Sequence, residues 1–387
     1  MHILILNTRL VPESKPGEES LCQKLAAQFV RMGHDVRLIA PVDFELDRLQ
    51  TPLAKRLSPI TVTTDGDTYT YTRFDTRTNT GVEYRLLQSK TDNPDAYGPD
   101  ALGEAANQLV AGMDFTPELT IIFDHRISIK GAPENCPHTI SAITDASLSD
   151  FPAVRGSSTR AEDFERVIVH GPVLAGKLLE SAPDSILART ISTGKAEILP
   201  ILTMTNSSDS FHKPSAKASL QTTLGLPVRD DVPLFYLYLP MAQCVDILPE
   251  ILSQEIQVVC KCEAEAIAEL LETYPDRLCA LPSDSKDAIL VKAADFCVQP
   301  NHTDKVAASL QAGTIPIVPF ENNFTIVELS PDGESGTGLL YPKGDLETAI
   351  GKALGLYSVQ KTFRDLSARV SHSVVSLESI ANMYLKG

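Results

Sequence analysis

Ala293-Ala294-Asp295-Phe296-Cys297-Val298-Gln299-Pro300 and, one short segment later, Gly313-Thr314-Ile315-Pro316-Ile317-Val318-Pro319 are the stretches whose reading decides the fold. Each is a brief apolar run bounded by turn signals, the mark of a strand buried on both faces of a parallel sheet. Between them lies a short helix-like segment, so this region predicts strand 294–299, helix 303–312 and strand 314–319. A helical crossover makes the two strands parallel and the connection right-handed.

Working outward, the same alternation begins at Pro233-Leu234-Phe235-Tyr236-Leu237-Tyr238 and runs to about residue 356. The first 40 residues read as strand Ile3 to Leu6, a Pro-Gly loop at Pro12 to Gly17, an amphipathic segment from Glu18 to Met32 with Gly33 after it, and strand Val36 to Ala40. Thr61-Val62-Thr63 and Tyr69-Thr70-Tyr71 flank Asp65-Gly66 as a hairpin should. A helix near 100–111 and strands at 119–123, 139–143 and 167–170 complete the first series. Residues 202–217 are polar and turn-rich, and 361–385 reads as one helix with no strand after it. The expected fold class is α/β, with two Rossmann-like halves.

Composition narrows the partners. A chain of 387 residues exceeds what one core sustains, so two domains are expected. A hydrophobic content of 43% with 22% charged residues is that of a globular protein, and no apolar run is long enough to cross a bilayer. The net charge of −16 argues against nucleic acid and against an anionic membrane, both of which need a positive footprint. It also makes a polyphosphate pocket harder to build. Seven cysteines without a disulfide-framework spacing fit a reducing compartment, and Met1 to Asn7 reads as a first strand rather than a signal peptide, so a cytoplasmic location is expected.

The order of motifs resembles the GT-B glycosyltransferases of the glycogen and starch synthase type. Met1 to Ile5, Lys15-Pro16-Gly17 and Arg31-Met32-Gly33-His34-Asp35-Val36 look like that family's opening strand, Lys-x-Gly-Gly loop and Arg-Gly-His-Asp-Val helix end. Tyr97-Gly98, Pro117-Glu118-Leu119, Asp124-His125 and Phe151-Pro152 follow in the family's order. Gly225-Leu226-Pro227, Val232 to Phe235, Gln257-Val258-Val259 and Tyr274-Pro275-Asp276-Arg277 continue it. The resemblance implies two Rossmann-like domains facing a central cleft. Residues 1–205 would form the acceptor-side domain, 206–230 a linker, 231–360 the nucleotide-sugar side, and 361–387 a C-terminal helix that crosses back.

It also implies a chemistry whose residues can be checked. A departing diphosphate is met by fixed cations and by backbone N–H groups at helix N-termini. The family's clamping Arg and Lys follow the first strand of the second domain. Here that loop reads Leu239-Pro240-Met241-Ala242-Gln243-Cys244, and no Lys or Arg lies between Arg229 and Lys261. The family's Gly-x-Gly-Asp is Cys260-Lys261-Cys262-Glu263, its catalytic His in Thr-Ile-His-Asn falls in Ala142-Ile143-Thr144-Asp145, and its later Gly-Gly is Asn322-Asn323. The Asp after its first loop is replaced by Ser20, and the segment from Pro300 to Gly313 is shorter than the family's, at the place of a catalytic Glu-Pro-x-Gly. Loss of one such electrostatic contact costs roughly 3 kcal/mol of transition-state stabilisation.

No catalytic residue, metal site or cofactor is therefore assigned. The candidates for ligand binding are Lys15 and Gly17 in the first loop, His125 at a strand end, and His302 and Lys305 in the shortened donor loop. Each has a structural alternative: an exposed lysine on a Pro-Gly turn, a hydrogen-bonded histidine, a solvated helix start. His170 before Gly171-Pro172 carries the same two readings, and Cys260-x-Cys262 reads as buried thiols rather than half of a zinc set. The expected function is a glycogen/starch synthase-like GT-B protein that is catalytically degenerate and acts as a glycan-binding, regulatory or scaffold module. The alternative is an active glycosyltransferase using a nucleotide-sugar donor in a non-standard site. A glycan, a nucleotide-sugar or a protein is the expected partner.

Overall fold

The computed structural model describes residues 1–7, 20–42, 54–64, 66–90, 99–123, 138–144, 164–181, 183, 186–203, 213–300, 303–321, 323, 325–342 and 344–386. The chain divides into two compact units, 1–199 with 377–387, and 200–376.

The first unit contains β1 (His2–Leu6), α1 (Leu21–Arg31), β2 (Asp35–Pro41), β3 (Lys55–Thr64), β4 (Asp67–Arg77), β5 (Glu83–Ser89), α2 (Pro99–Ala111) and β6 (Leu119–Phe123). β7 (His138–Ile143), β8 (Arg166–His170), α3 (Pro172–Ser181), α4 (Ile186–Ser192) and β9 (Ala196–Leu199) follow. Its sheet runs β3-β4-β5-β2-β1-β6-β7-β8-β9. β3 and β4 are the hairpin insertion, antiparallel with Thr63 opposite Thr68, and β4 pairs antiparallel with β5. The remaining pairs are parallel, because each returns through a crossover. Ser20 caps α1 in a reciprocal box with Gln23, and Gly33 leaves the helix at φ +89°, a conformation glycine adopts without steric cost. Ser20, the residue standing at the family's loop Asp, thus serves the helix start.

The second unit contains β10 (Ile201–Thr203), α5 (Lys213–Thr223), β11 (Leu234–Leu237), α6 (Met241–Ile251), β12 (Gln257–Lys261), α7 (Ala268–Thr273), β13 (Leu278–Leu281) and α8 (Asp287–Ala293). β14 (Phe296–Val298), α9 (Thr303–Gln311), β15 (Ile315–Pro319), β16 (Leu339–Tyr341), α10 (Leu346–Ser358), α11 (Gln360–Ser371) and β17 (Val374–Ser376) complete it. Its six-stranded sheet is wholly parallel in the order β13-β12-β11-β14-β15-β16. Numbered from β11, this is 3-2-1-4-5-6, the doubly wound order whose switch point lies between β11 and β14. Along β11, Phe235 and Leu237 enter one core and Leu234 and Tyr236 the other, which is why the run is apolar without a gap.

Two regions differ from the sequence reading. Within the expected linker, residues 213–223 form α5, with Lys217, Leu220 and Gln221 buried at helical spacing. In place of one C-terminal helix, α11 ends at Ser371, β17 pairs in parallel with β10, and α12 (Leu377–Leu385) joins the first unit.

Candidate functional site

In an open doubly wound sheet the ligand crevice lies at the carboxyl ends of the strands, where the strand order reverses. β11 delivers Tyr236 and, just past its end, Tyr238 to this place; two residues apart on extended chain, their rings stack with centroids 5.5 Å apart. The Tyr236 hydroxyl donates to Asp287 Oδ1 at 2.6 Å, and Lys261, the last residue of β12, reaches the same oxygen at 2.5 Å. Burial alone would raise the Asp287 carboxyl, but hydrogen bonds from Lys261, Tyr236 and Tyr238 outweigh it and bring it below the usual carboxylate range. Burial, with Asp287 adding to it, pushes both phenols up, so they stay protonated donors.

Lys305 lies in the first turn of α9, with its Nζ 4.0 Å from the centroid of the Tyr238 ring. This placement joins one candidate from the donor loop to the aromatic pair. Lys15, Gly17, His125 and His302 lie outside the described residues. The sequence reading missed Tyr236, Tyr238, Lys261 and Asp287; the signal was Tyr-Leu-Tyr at a strand end, which puts two phenols on one face.

α6 opens at the switch point on Pro240, with no side-chain cap and no charged residue in its first turn. Met241 beside it is 47% exposed, and Phe320, just past the carboxyl end of β15, is 64% exposed. The carboxyl edge thus offers apolar and aromatic groups, while Lys261 and Lys305 are engaged by Asp287 and Tyr238. Asn323 is buried and turned inward, donating to the Ile326 carbonyl and accepting from the Thr325 and Ile326 amides. Behind β14, Gln299 is fully buried and bonded to Ser309 of α9.

The Cys260 and Cys262 sulfurs are 3.3 Å apart. Burial pushes both thiols up, and carries the Cys244 thiol to about 11 and Cys297 to about 12. Thiols held protonated in this way are neither nucleophiles nor ready metal ligands. Among the described residues no group of three or more His, Cys, Asp or Glu side chains is placed to hold a metal ion.

No protein-family model matches the chain. It is 31% identical to the glycogen synthase of Anaeromyxobacter dehalogenans strain 2CP-C over 178 residues, covering 41% of this chain and 38% of that protein. It is 29% identical to starch synthase 2 of Arabidopsis thaliana over 195 residues, 44% of this chain and 25% of that protein. The match therefore spans under half the length of these curated relatives. Among solved structures, Acinetobacter baumannii MurG superposes with a TM-score of 0.58 at 10% identity, covering 100% of this chain and 99% of that one. The Anabaena protein HepE, solved with UDP-glucose, gives 0.52 at 12% identity over 100% and 98%.

The chain has the GT-B fold and is glycogen synthase-like.

In this GT-B protein the switch point of the second sheet combines an uncapped helix start, two stacked tyrosines and two engaged lysines. His170 sits elsewhere, in the first unit. Its ring stacks on Tyr384 of α12, Nε2 lies 2.7 Å from the Tyr384 hydroxyl, and burial pulls the imidazole down to about 4. A ring enclosed in this way anchors a helix rather than shuttling protons. No helix among the described residues is long and apolar enough to cross a membrane.

Proposed function

We propose that this glycogen synthase-like protein no longer transfers sugar and serves as a glycan-binding module, its first unit corresponding to the acceptor side and its second to the nucleotide-sugar side. The observation that carries the reading is the β11–α6 turn at 238–241, where Tyr238, Pro240 and Met241 stand and no cation does. Lys305, nearby, lies over the Tyr238 ring. A leaving diphosphate needs positive charge aimed at it. A sugar needs an aromatic or apolar face and a few hydrogen bonds, which Tyr238, Met241 and Phe320 suit. A scaffold or regulatory role alongside an active synthase follows from the same glycan affinity.

One observation favours the rival, an active glycosyltransferase: the first-turn amides of α6 lack a side-chain cap, and such amides bind phosphate through the backbone alone. Calorimetric titration with maltoheptaose, ADP-glucose and UDP-glucose, followed by a transfer assay with labelled donor, separates the two. The expected result is heat from maltoheptaose, weakened by Phe320→Ala, and no labelled product. Turnover of either donor would overturn the proposal.

A further inference from the structure

At the opposite edge of the second sheet, where β11, β14 and β15 begin, lies a cavity of about 550 Å³ between α5, the turn after α9, and one face of α11. This size is within the range of small-molecule sites. α11 supplies residues 360, 363, 364, 367, 368 and 371 to the wall, a helical spacing that turns a single face inward.

The charges on this wall do not balance. Lys217 and Asp295 form a buried pair at 2.7 Å, and Lys217 also donates to the Val232 carbonyl and the Tyr357 hydroxyl. All three of its N–H donors are used, and its charge is matched. Lys213, one turn earlier on α5, is different. Among the described residues its enclosed ammonium donates only to neutral oxygens, the Ala312 carbonyl at 3.2 Å and Thr314 Oγ1 at 2.6 Å. Arg364, on the same face of α11 and itself exposed at the cavity mouth, makes no ion pair or hydrogen bond with another described residue. Among the described lining residues the carboxylates are Asp295, already paired with Lys217, and Asp230, which like Arg364 is exposed at the rim. An enclosed cation without a contacting carboxylate is costly, and an incoming anion relieves that cost. Phe363 and Tyr357, packed ring to ring 4.8 Å apart, and Pro214 give the cavity an apolar side.

We propose that this cavity binds a small organic carboxylate, its oxyanion meeting Lys213 and Arg364 and its apolar body lying against Phe363 and Pro214. Arg presents a planar fork matched to a carboxylate, and Lys a compact point charge. Burial lowers Lys213 to about 7, with Asp295 and Cys297 of β14 opposing the fall and Lys217 adding to it; Arg364 of α11 and His372 just past its end also face the cavity. Anion binding therefore draws a proton onto Lys213 at neutral pH.

Benzoate is the probe and benzyl alcohol its neutral counterpart, titrated into the full chain by calorimetry in two buffers of different ionisation enthalpy. Benzoate binds with proton uptake and benzyl alcohol does not bind. Arg364→Gln, at an exposed position at the cavity mouth and so of little cost to folding, weakens benzoate about tenfold or more, as does Lys213→Met. Equal binding of the two probes, no benzoate binding, or an unchanged affinity in Arg364→Gln would overturn the proposal. The sugar-binding reading stands or falls separately, since it concerns the other edge of the sheet.

Discussion

His170 is enclosed with its Nδ1 lacking a hydrogen-bond partner among the described residues and its pKa pulled from 6.5 to about 4 by burial. Between those values the unfolded chain binds more protons than the folded one, so stability is complete above pH 6.5 and falls as pH drops toward 4. At about 1.4 kcal/mol per pH unit, the full window corresponds to about 3 kcal/mol. Urea unfolding of the first unit at pH 7.5 and pH 4.5 measures it, and His170→Phe narrows the difference while His34 and Glu197, also lowered, keep their shares. Gly313 makes a second residue-scale prediction. It holds φ +64°, and a Cβ there would stand 2.7 Å from Ser367 Oγ and 2.9 Å from its carbonyl oxygen. Gly313→Ala is expected to cost about 2 kcal/mol or more, read as a lowered urea midpoint for the second unit. Removing the Lys217 amine by Lys217→Met strands the Asp295 carboxylate in the core and costs about 3–5 kcal/mol.

α12 shows what an element owes to a distant residue. The Arg166 guanidinium, on β8, donates to the carbonyls of Met383, Tyr384 and Lys386 at the end of this helix and is held in turn by Glu197. It thereby satisfies three of the acceptors a helix leaves open at its C-terminus. Arg166→Met is expected to lower amide hydrogen-exchange protection across 377–385 by about 2–3 kcal/mol, with protection in β1 unchanged. The break that separates this helix from α11, with β17 in it, was not legible in the sequence. Residues 361–385 keep a helical period throughout, and the break at 372–373 is set by β17 pairing with β10, far away in the chain. α5 was hidden for the same kind of reason: its inward lysine looks like a solvated residue until Asp295 is brought to it. By contrast β14, α9 and β15 were readable, because their apolar runs and intervening helical spacing are local.

At the scale of the molecule, the second unit is a continuous stretch of chain and the first is not. A fragment 200–376 retains a complete doubly wound sheet and its two packed faces, so it is expected to unfold in urea as one cooperative transition. A fragment 1–199 loses α12 and uncovers Phe29 of α1, which meets Tyr384 edge-on at 6.4 Å, together with His170. It is expected to bind a hydrophobic dye and to be rescued by restoring 377–387. By itself the sequence determined the parallel strands, the motif order that resembles the glycogen synthases, and the absence of a cation between Arg229 and Lys261. All of these depend on residues near one another or on identity alone. The tertiary structure decided how the cations are used: Lys305 over Tyr238, Lys261 on Asp287, Lys217 on Asp295, and Lys213 enclosed with no carboxylate of the described residues in contact. A side chain's charge is written in the sequence, but its partner is chosen by the fold.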